Sequence, residues 1–376
     1  MKVLILPSWY PSSENQIQGT FFKEQAKMIS LKKKCNIYVI SINKVSKFKS
    51  IKKTFTINRS KNQYFTELKI ELINLKFSIL NSIFRKIAEK FVLFYFINKF
   101  GKPDLIHLHS FSAGRMALWF NNKFKIPFMV TEHSSSFFRN KYPRKQLILA
   151  KQIFSNSSLN TAVSPELCKL LEKRFNSHFM YIPNFIDTGF FRNNSTTKEY
   201  TYISIGSLDE NKNHIFLVKA FHKNFIKNNS LTLIIVGDGG KLKQLQGYID
   251  QHKLNKNVFL FGKANRNKIK ELLNSSSYYV HSSKYETFGI SIIEAMSCGL
   301  PVVSTKCFGP EHIINNKTGI LSEHNIEDFS IALNEILKNK YNSDYIRKYI
   351  INNFDKKIIS TRILNEYKKI RKKNEI

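Results

Sequence analysis

The feature that most limits the fold of this chain is a regular alternation of short apolar runs with longer amphipathic stretches. Such an alternation is typical of strand–helix–strand units, which assemble into parallel sheets. In the first half, the predicted strands are KVLIL (2–6), NIYVISI (36–42), DLIHLHS (104–110), PFMVTEH (127–133), LNTAVS (159–164) and HFMYIPN (178–184). The predicted helices between them include Phe21–Lys33, Gly114–Lys123 and Pro165–Phe175.

The same alternation starts again in the second half of the chain. The strands predicted there are YTYISIGSL (200–208), LTLIIVGDGG (231–240), NVFLFGK (257–263), SYYVHSS (277–283) and LPVVSTK (300–306). A chain of 376 residues with 42% hydrophobic residues is long enough for two cores. We therefore predict an α/β protein with two doubly wound parallel-sheet domains, residues 1–185 and 186–354, followed by a basic amphipathic helix at 355–376.

In open α/β sheets, ligands bind beyond the carboxyl ends of the strands. In the second domain this edge would carry Gly206–Lys212, Gly237–Gly240, Gly262–Lys263 and Lys284–Gly289. In the first domain it would carry Pro7–Gly19, His107–Ser110 and Thr131–Ser136. A cleft between the two edges is the expected site.

The stretch ETFGISIIE (286–294) holds two carboxylates that are eight positions apart. A helix is predicted to begin at Gly289, so its first N–H groups would lack intrahelical partners and suit a phosphate. Glu286 would lie on the loop before this helix, whereas Glu294 would lie about 7–8 Å along it. We interpret them as two separate contacts along one elongated ligand, with Glu286 at a sugar and Glu294 at a ribose. The simpler alternative is a surface glutamate followed by a helix glutamate that pairs with a lysine.

Two glycine-containing turns after strands are further candidates for a phosphate site. SIGSLDENKNH (204–214) would place Lys212 beside the phosphates, unless it is only one exposed lysine among many. IVGDGG (235–240) fits a nucleotide turn or a tight strand–helix connection, because it lacks the full dinucleotide fingerprint.

Three histidines lie near the predicted edge of the first domain. His107 and His109 alternate in a strand and would point to the same face. His133 ends a strand beside Glu132 and three serines, which makes it the stronger functional candidate. No carboxylate or cysteine completes a ligand set at useful spacing, so no metal is predicted.

The charge of the chain bears on the kind of partner it binds. Lys and Arg total 60 against 27 Asp and Glu, which gives a net charge of +33. This excess favours binding to polyanions, or it reflects only a bias in amino-acid composition. No dense basic tract with interleaved aromatics occurs, so a nucleic-acid partner is not predicted. The helix predicted at 79–100 is either packed in the core or bound to an anionic membrane surface. Four spread cysteines and the lack of a signal sequence predict a cytoplasmic protein.

The stretch YETFGISIIEAMSCGLPVV (285–303) closely resembles the E-x7-E signature of retaining glycosyltransferases of family 4, which have the GT-B fold. The blocks ILPSWYPSSENQIQGTFFKEQA, TAVSPEL, YIPNFID, IGSLDENKN, IVGDGG and CFGPEHII are similar to other parts of the family, in the same order. The resemblance therefore spans nearly the whole chain.

The resemblance implies two facing Rossmann-like domains, the first on the acceptor side and the second binding a sugar nucleotide, with the last helix crossing back onto the first. It implies a retaining, metal-independent hexosyltransferase without a cofactor, which uses a nucleoside-diphosphate sugar as donor. The residues implied to act in catalysis are Glu286, His133 and Lys212. The residues implied to bind the donor are Gly19, Gly206, Ser207, Lys212, Gly237, Gly262, Phe288, Gly289, Ile290 and Glu294.

Two positions depart from the family pattern. Ser207 stands where many relatives have Arg after the glycine, so half of the cationic phosphate site is missing or supplied elsewhere. Phe185 follows Asn184 where Gly is usual, which suggests an altered hinge. The expected function is sugar transfer to a glycan or lipid-linked acceptor in cell-surface polysaccharide synthesis, with the protein peripheral on the inner face of the plasma membrane. The alternatives are a sugar-nucleotide epimerase on the same fold and a polyanion-binding protein without enzymatic activity.

Overall fold

The computed structural model describes residues 1–16, 19–32, 35–46, 56–61, 64–75, 78–194, 197–225 and 230–374. These residues form two compact units. Unit 1 comprises Met1–Val163, Cys168–Ile182 and Ile359–Ile376, and unit 2 comprises Ser164–Leu167 and Pro183–Ile358. The last helix of the chain, α12 (Lys356–Asn374), thus has most of its length in unit 1.

Unit 1 is built on one sheet. Its strands are β1 (Lys2–Pro7), β2 (Asn36–Val45), β3 (Thr56–Lys61), β4 (Thr66–Ile73), β5 (Leu105–His109), β6 (Phe128–Glu132), β7 (Leu159–Ala162) and β8 (Met180–Tyr181). Its helices before α12 are α1 (Thr20–Leu31), α2 (Ser78–Phe100), α3 (Gly114–Phe124), α4 (Arg144–Asn156) and most of α5 (Pro165–Phe175). The strand order is β3-β4-β2-β1-β5-β6-β7-β8, and every neighbouring pair is parallel except β3–β4.

The central strands of unit 1 are mostly apolar because both of their faces are covered. Every residue of β5 and β6 is buried, and so are Val3–Leu6 of β1. Strands buried on both faces read as continuous apolar runs rather than as alternating ones. This is why KVLIL and PFMVTEH were recognisable in the sequence.

Unit 2 repeats this architecture with its own core. Its strands are β9 (Tyr200–Ile205), β10 (Leu233–Val236), β11 (Val258–Gly262), β12 (Ser276–His281), β13 (Val302–Thr305) and β14 (Gly319–Ser322). Its helices are α6 (His214–Phe225), α7 (Leu242–Gln251), α8 (Arg266–Asn274), α9 (Ile290–Ser297), α10 (Ile326–Lys338) and α11 (Ser343–Phe354). The order is β11-β10-β9-β12-β13-β14, parallel throughout. The predicted α/β fold with two doubly wound sheets is confirmed.

Some elements differ from the sequence prediction. Strands β3 and β4 were not predicted, and their antiparallel pairing extends the sheet of unit 1 at one edge. The strand predicted at 178–184 is only two residues long, because Pro183 cannot donate to a ladder. Helix α1 ends at Leu31, and the predicted end at Lys33 lies outside the described residues.

Candidate functional site

The candidate site of unit 2 lies where the order of the strands along the sheet reverses, between β9 and β12. Strands β9 and β12 are neighbours although they are distant in sequence, so the loops after them meet at the carboxyl edge. The two loops are hydrogen-bonded: the Lys284 N–H donates to the Asn211 carbonyl at 2.8 Å, and Asn211 Nδ2 donates to the Tyr285 carbonyl at 2.9 Å. A reversal point of this kind is the usual ligand site of an open α/β sheet.

These loops bring together Lys212 and Glu286, which are 74 positions apart. Lys212 Nζ lies 2.5 Å from Glu286 Oε2, and both side chains are largely shielded from solvent. Desolvation lowers the pKa of Lys212, but attraction and hydrogen bonding to Glu286 outweigh it, so the pKa lies above its usual value. For Glu286, desolvation raises the pKa, but the attraction and hydrogen bonding of neighbouring groups, above all Lys212, have a larger opposite effect. The pKa of Glu286 therefore lies well below its usual range. The two residues therefore form a charged pair at neutral pH.

Further contacts hold the Glu286 carboxylate in place. Its Oε1 accepts the Thr287 N–H at 3.1 Å, and its backbone is bonded to the Cys307 carbonyl at 2.9 Å and to the Gly309 N–H at 2.8 Å. The buried His281 ring lies 3.6 Å from Oε2, which is too long for a hydrogen bond. Desolvation lowers the pKa of His281, so the ring is neutral and leaves the charge of the pair to Lys212.

Helix α9 begins directly after Gly289, as predicted. Gly289 is left-handed, with φ of 105°, and a β-carbon there would lie 2.8 Å from Cδ1 of Ile292. The position therefore requires glycine. The N–H groups of Ile292 and Ile293 donate to the Gly289 carbonyl at 3.0 and 3.3 Å. None of the hydrogen bonds found among the described residues involves the N–H groups of Ile290 and Ser291, which lie at the positive end of the helix dipole. The Phe288 side chain packs against Phe354 at 5.6 Å, so only its backbone is available to a ligand.

Glu294 is the fifth residue of α9, at the position that the sequence predicted. None of the hydrogen bonds or ion pairs found among the described residues involves its carboxylate. Desolvation raises the pKa of Glu294 to about 7, and Arg266 opposes this only in part. A desolvated carboxylate without an internal partner is suited to accept hydrogen bonds from a ligand diol.

The loop after β9 fixes Lys212 through Asp209. Asp209 Oδ1 accepts the N–H groups of Asn211 at 2.8 Å and Lys212 at 2.9 Å, and Oδ2 accepts the Ser207 hydroxyl at 2.6 Å. Ser207 therefore braces the turn. The Lys212 stem passes Gly206, with Cγ and Cδ 3.3 Å from where a β-carbon would be. A larger side chain at 206 would push the lysine aside.

Gly237 and Gly262 lie at the ends of β10 and β11. The Gly237 N–H donates to the Gly262 carbonyl at 2.9 Å. A β-carbon on Gly237, whose φ is 154°, would lie 1.8 Å from the Gly206 carbonyl oxygen. Gly237 thus permits close contact between two loops. This arrangement corresponds to the second interpretation of IVGDGG, a tight connection between a strand and a helix.

His133 lies in unit 1, at the carboxyl end of β6, within a group of aromatic rings. Its ring centroid lies 6.5 Å from that of Trp9, 5.2 Å from Phe21 and 5.0 Å from Phe22. Its Nε2 lies 3.1 Å from His109 Nδ1. Desolvation, with a smaller contribution from His107, lowers the pKa of His133 to about 3, so the ring is neutral at physiological pH.

His107 and His109 lie on the same face of β5, as predicted, with ring centroids 4.1 Å apart. His107 bonds to the Tyr367 hydroxyl through Nδ1 at 2.6 Å and to the Thr131 hydroxyl through Nε2 at 2.8 Å. His107 is therefore a satisfied core residue that ties α12 to the sheet. Gly19 is the N-cap of α1, with φ of 74°, and also belongs to unit 1.

Sequence reasoning missed three residues that shape these sites. Asp209 was recognisable, because an Asp in a polar turn commonly bonds to the N–H groups that follow it. Nothing in the sequence marked His281 as a site residue, because the contact of a strand histidine with a carboxylate depends on the tertiary structure. Glu132 is fully buried and accepts hydrogen bonds from the Ser110 hydroxyl and from three backbone N–H groups, which organises the loop that begins at His133.

Within the described parts of the chain, no group of three or more His, Cys, Asp or Glu side chains is arranged to hold a metal ion.

Comparison with known proteins identifies the family. The model of glycosyl transferases group 1 matches residues 185–354, and the model of glycosyltransferase family 4 matches residues 58–190. The GPI3 subunit of phosphatidylinositol N-acetylglucosaminyltransferase from Saccharomyces cerevisiae is 30% identical over 151 residues, 40% of this chain and 33% of that protein. An uncharacterized glycosyltransferase of Methanocaldococcus jannaschii is 30% identical over 238 residues, 57% of this chain and 58% of that protein. The matched part thus spans about a third of the first relative and more than half of the second.

Solved structures share the fold of almost the entire chain. Sucrose-phosphate synthase from Thermosynechococcus elongatus superposes with a TM-score of 0.80 at 16% identity, over 98% of this chain and 99% of that one. Anabaena HepE in complex with UDP gives a TM-score of 0.75 at 16% identity, over 98% and 100%.

The two Rossmann-like units and these structural relatives define a protein of the GT-B class. The two family models together cover residues 58–354, and this part of the chain is of the group 1/family 4 type of glycosyltransferases.

Proposed function

We propose that this protein is a retaining, metal-independent hexosyltransferase that moves a sugar from a nucleoside-diphosphate sugar to a glycan or lipid-linked acceptor in cell-surface polysaccharide synthesis. The observation that carries the proposal is the Lys212–Glu286 pair, placed immediately before the N-terminus of α9. The segment from Glu286 to Glu294 then offers a carboxylate, the N–H groups of Ile290 and Ser291 and a second carboxylate, and Lys212 adds a cation from the loop after β9.

Each of these groups has a place along the donor. The diphosphate would bind to Lys212 and to the first-turn amides of α9, where helix termini favour phosphate. Glu294 would accept hydrogen bonds from the ribose diol, and Glu286 would contact the transferred sugar.

The Lys212–Glu286 pair suggests how donor binding prepares the reaction. The incoming diphosphate would compete with Glu286 for the Lys212 ammonium, because it carries more negative charge. The bond between the anomeric carbon and the diphosphate oxygen then breaks, and Lys212 with the α9 amides stabilises the departing charge. Glu286 would face the positive charge that develops on the sugar. The acceptor hydroxyl would form the new bond on the face that the diphosphate leaves, and its proton would pass to the departing diphosphate oxygen.

One relative and the charge of the chain support the proposed class of acceptor. The yeast relative is named for an N-acetylglucosaminyl transfer to phosphatidylinositol, which is a lipid. A lipid-linked acceptor would bring this chain, with its net charge of +33, to an anionic membrane surface.

A donor panel followed by product analysis tests the proposal. UDP-, GDP- and ADP-sugars are screened for a rise in melting temperature, and the best donor is then incubated with and without candidate acceptors, in the presence of a chelator. We expect one nucleotide class to stabilise the protein and transfer to proceed with the anomeric configuration kept. No stabilisation by any nucleotide sugar, or an inverted product, would overturn the proposal. Conversion of the donor to an epimer without acceptor would point to the epimerase instead.

A further inference from the structure

Helix α2 of unit 1 has two apolar faces, of which the described part of the chain covers one and leaves the other exposed. Ala88, Val92 and Phe96 are fully buried on the side that packs against β2 and β4, with the Phe96 ring 5.3 Å from Tyr38. The large apolar residues of α2 with 41% to 73% of their surface exposed are Ile79, Leu80, Ile83, Phe84, Ile87, Phe91 and Phe94. The sequence left open whether this helix packs in the core or binds a membrane. In the structure one apolar face packs in the core and the other is exposed.

The seven exposed residues form a continuous strip, here called the α2 face. Their spacing of three and four positions places them along one side of a helix. The strip runs from Ile79 to Phe94 and is therefore about 23 Å long along the helix axis. Soluble monomers rarely expose a contiguous apolar surface of this size unless it binds something.

Basic residues border the α2 face. Lys86 and Lys90 are exposed and follow Ile79 and Ile83 at seven-residue spacing, so they lie along one edge of the strip. The only acidic residue in the sequence of α2 is Glu89, which is buried and bonded to Arg85 at 3.0 Å. The helix therefore shows positive charge without an exposed negative group.

The neighbouring helix α3 extends the strip with an aromatic and a cation. The Trp119 ring lies 5.9 Å from Phe94 in an edge-to-face arrangement. Lys123 Nζ lies 5.4 Å from the Trp119 ring and 5.7 Å from the Phe94 ring. Aromatic rings beside lysine are common where a protein meets the headgroup region of a membrane.

We infer that the α2 face, with Lys86, Lys90, Trp119 and Lys123, is a docking surface for an anionic lipid bilayer, on which α2 lies in the plane of the interface. Apolar side chains insert among the acyl chains while the lysines reach the headgroup phosphates. A second copy of the chain fits less well, because its own lysines would be brought against these lysines. The inference does not depend on the proposed transfer reaction, since binding to vesicles is measured without turnover.

Vesicle flotation of the full chain tests this surface. Vesicles of phosphatidylcholine alone are compared with vesicles of phosphatidylcholine mixed with phosphatidylglycerol. We expect the wild type to bind to the mixed vesicles. The double variant K86Q/K90Q should weaken this binding roughly 25-fold, and I83S/I87S should weaken it roughly 10-fold or more. A blue shift of Trp119 fluorescence on binding is expected as well.

Matched controls come from helix α4 of the same unit. Lys145 and Lys151 are exposed, and Ile148 is 52% exposed, so K145Q/K151Q makes the same double change elsewhere and I148S makes one of the two Ile-to-Ser changes. The control variants should bind as the wild type does, and all variants should keep its melting temperature. Equal losses in the α2 and α4 variants, or no binding to anionic vesicles, would overturn the inference. A dimer in sedimentation that I83S/I87S abolishes would assign the α2 face to a second copy instead.

Discussion

Replacing Glu294 by glutamine should stabilise the protein at neutral and higher pH while it weakens donor binding. Desolvation raises the pKa of this carboxyl from 4.5 to about 7. Because one pKa unit corresponds to about 1.4 kcal/mol, ionised Glu294 costs the folded state up to about 3 kcal/mol. Glutamine has nearly the same shape and no charge, so E294Q removes that cost.

The sign of the pH dependence follows from proton binding. The folded state holds the Glu294 proton between about pH 4.5 and 7, whereas the unfolded state has lost it. The stability from this group is thus present at low pH and is lost as pH rises through 7. The difference in free energy of unfolding between E294Q and the wild type should grow from near zero at about pH 4.5 to about 3 kcal/mol above pH 7.

Urea unfolding of both proteins over this pH range measures the effect. The exposed Glu335 of α10, in the same unit, provides the control, because E335Q removes a carboxylate that stays in water. A difference between E294Q and the wild type that is constant with pH would refute the reasoning. Donor titration of the same samples should show affinity lower by roughly 10- to 100-fold, the contribution of a hydrogen bond to a charged group.

Three further predictions concern single contacts. K212A should lower the turnover number by roughly 100- to 1000-fold in a transfer assay, because the departing diphosphate loses its cation. G289A should destabilise the protein by about 1–3 kcal/mol in urea unfolding, since φ is 105° and a β-carbon would lie 2.8 Å from Ile292. Y367F should cost about 1 kcal/mol of stability, because His107 Nδ1 loses its hydroxyl partner at 2.6 Å.

Each of these variants has a control on the same chain. K284A removes an exposed lysine from the neighbouring loop and should keep turnover. G240A adds a methyl group where no atom lies within 4 Å, so it should leave stability nearly unchanged. Y345F removes the hydroxyl of a tyrosine that is 39% exposed. Wild-type turnover in K212A, or equal losses in a variant and its control, would contradict the corresponding argument.

Much of the fold could be predicted because the buried strands carry their own signal. A strand covered on both faces carries a run of consecutive apolar residues, as β1 does over Val3–Leu6, β6 over Phe128–Val130 and β13 over Val302–Val303. The hairpin β3–β4 could not be predicted in this way. TELKIELI of β4 alternates apolar and charged residues, and Glu67 is buried there only because Tyr10, Lys23 and Lys69 surround its carboxylate.

The candidate site was predicted in its parts but not in its connections. The spacing of ETFGISIIE placed Glu286 before the helix and Glu294 on its fifth position, because helix geometry is local. The sequence could not indicate that Lys212 would lie 2.5 Å from Glu286, since that contact depends on the strand order.

By itself, the sequence determined the two α/β halves, the glycine at the start of α9 and the order of groups along it, because these depend on periodicity and backbone conformation. Only the tertiary structure decided the protonation of the site residues and which apolar surface of α2 is exposed. Desolvation and neighbouring charges set the pKa values of Glu286, Glu294 and His133, and both depend on residues from distant parts of the chain. The exposed side of α2 was likewise decided by which face the sheet already covers, and an apolar helix pattern alone does not specify that.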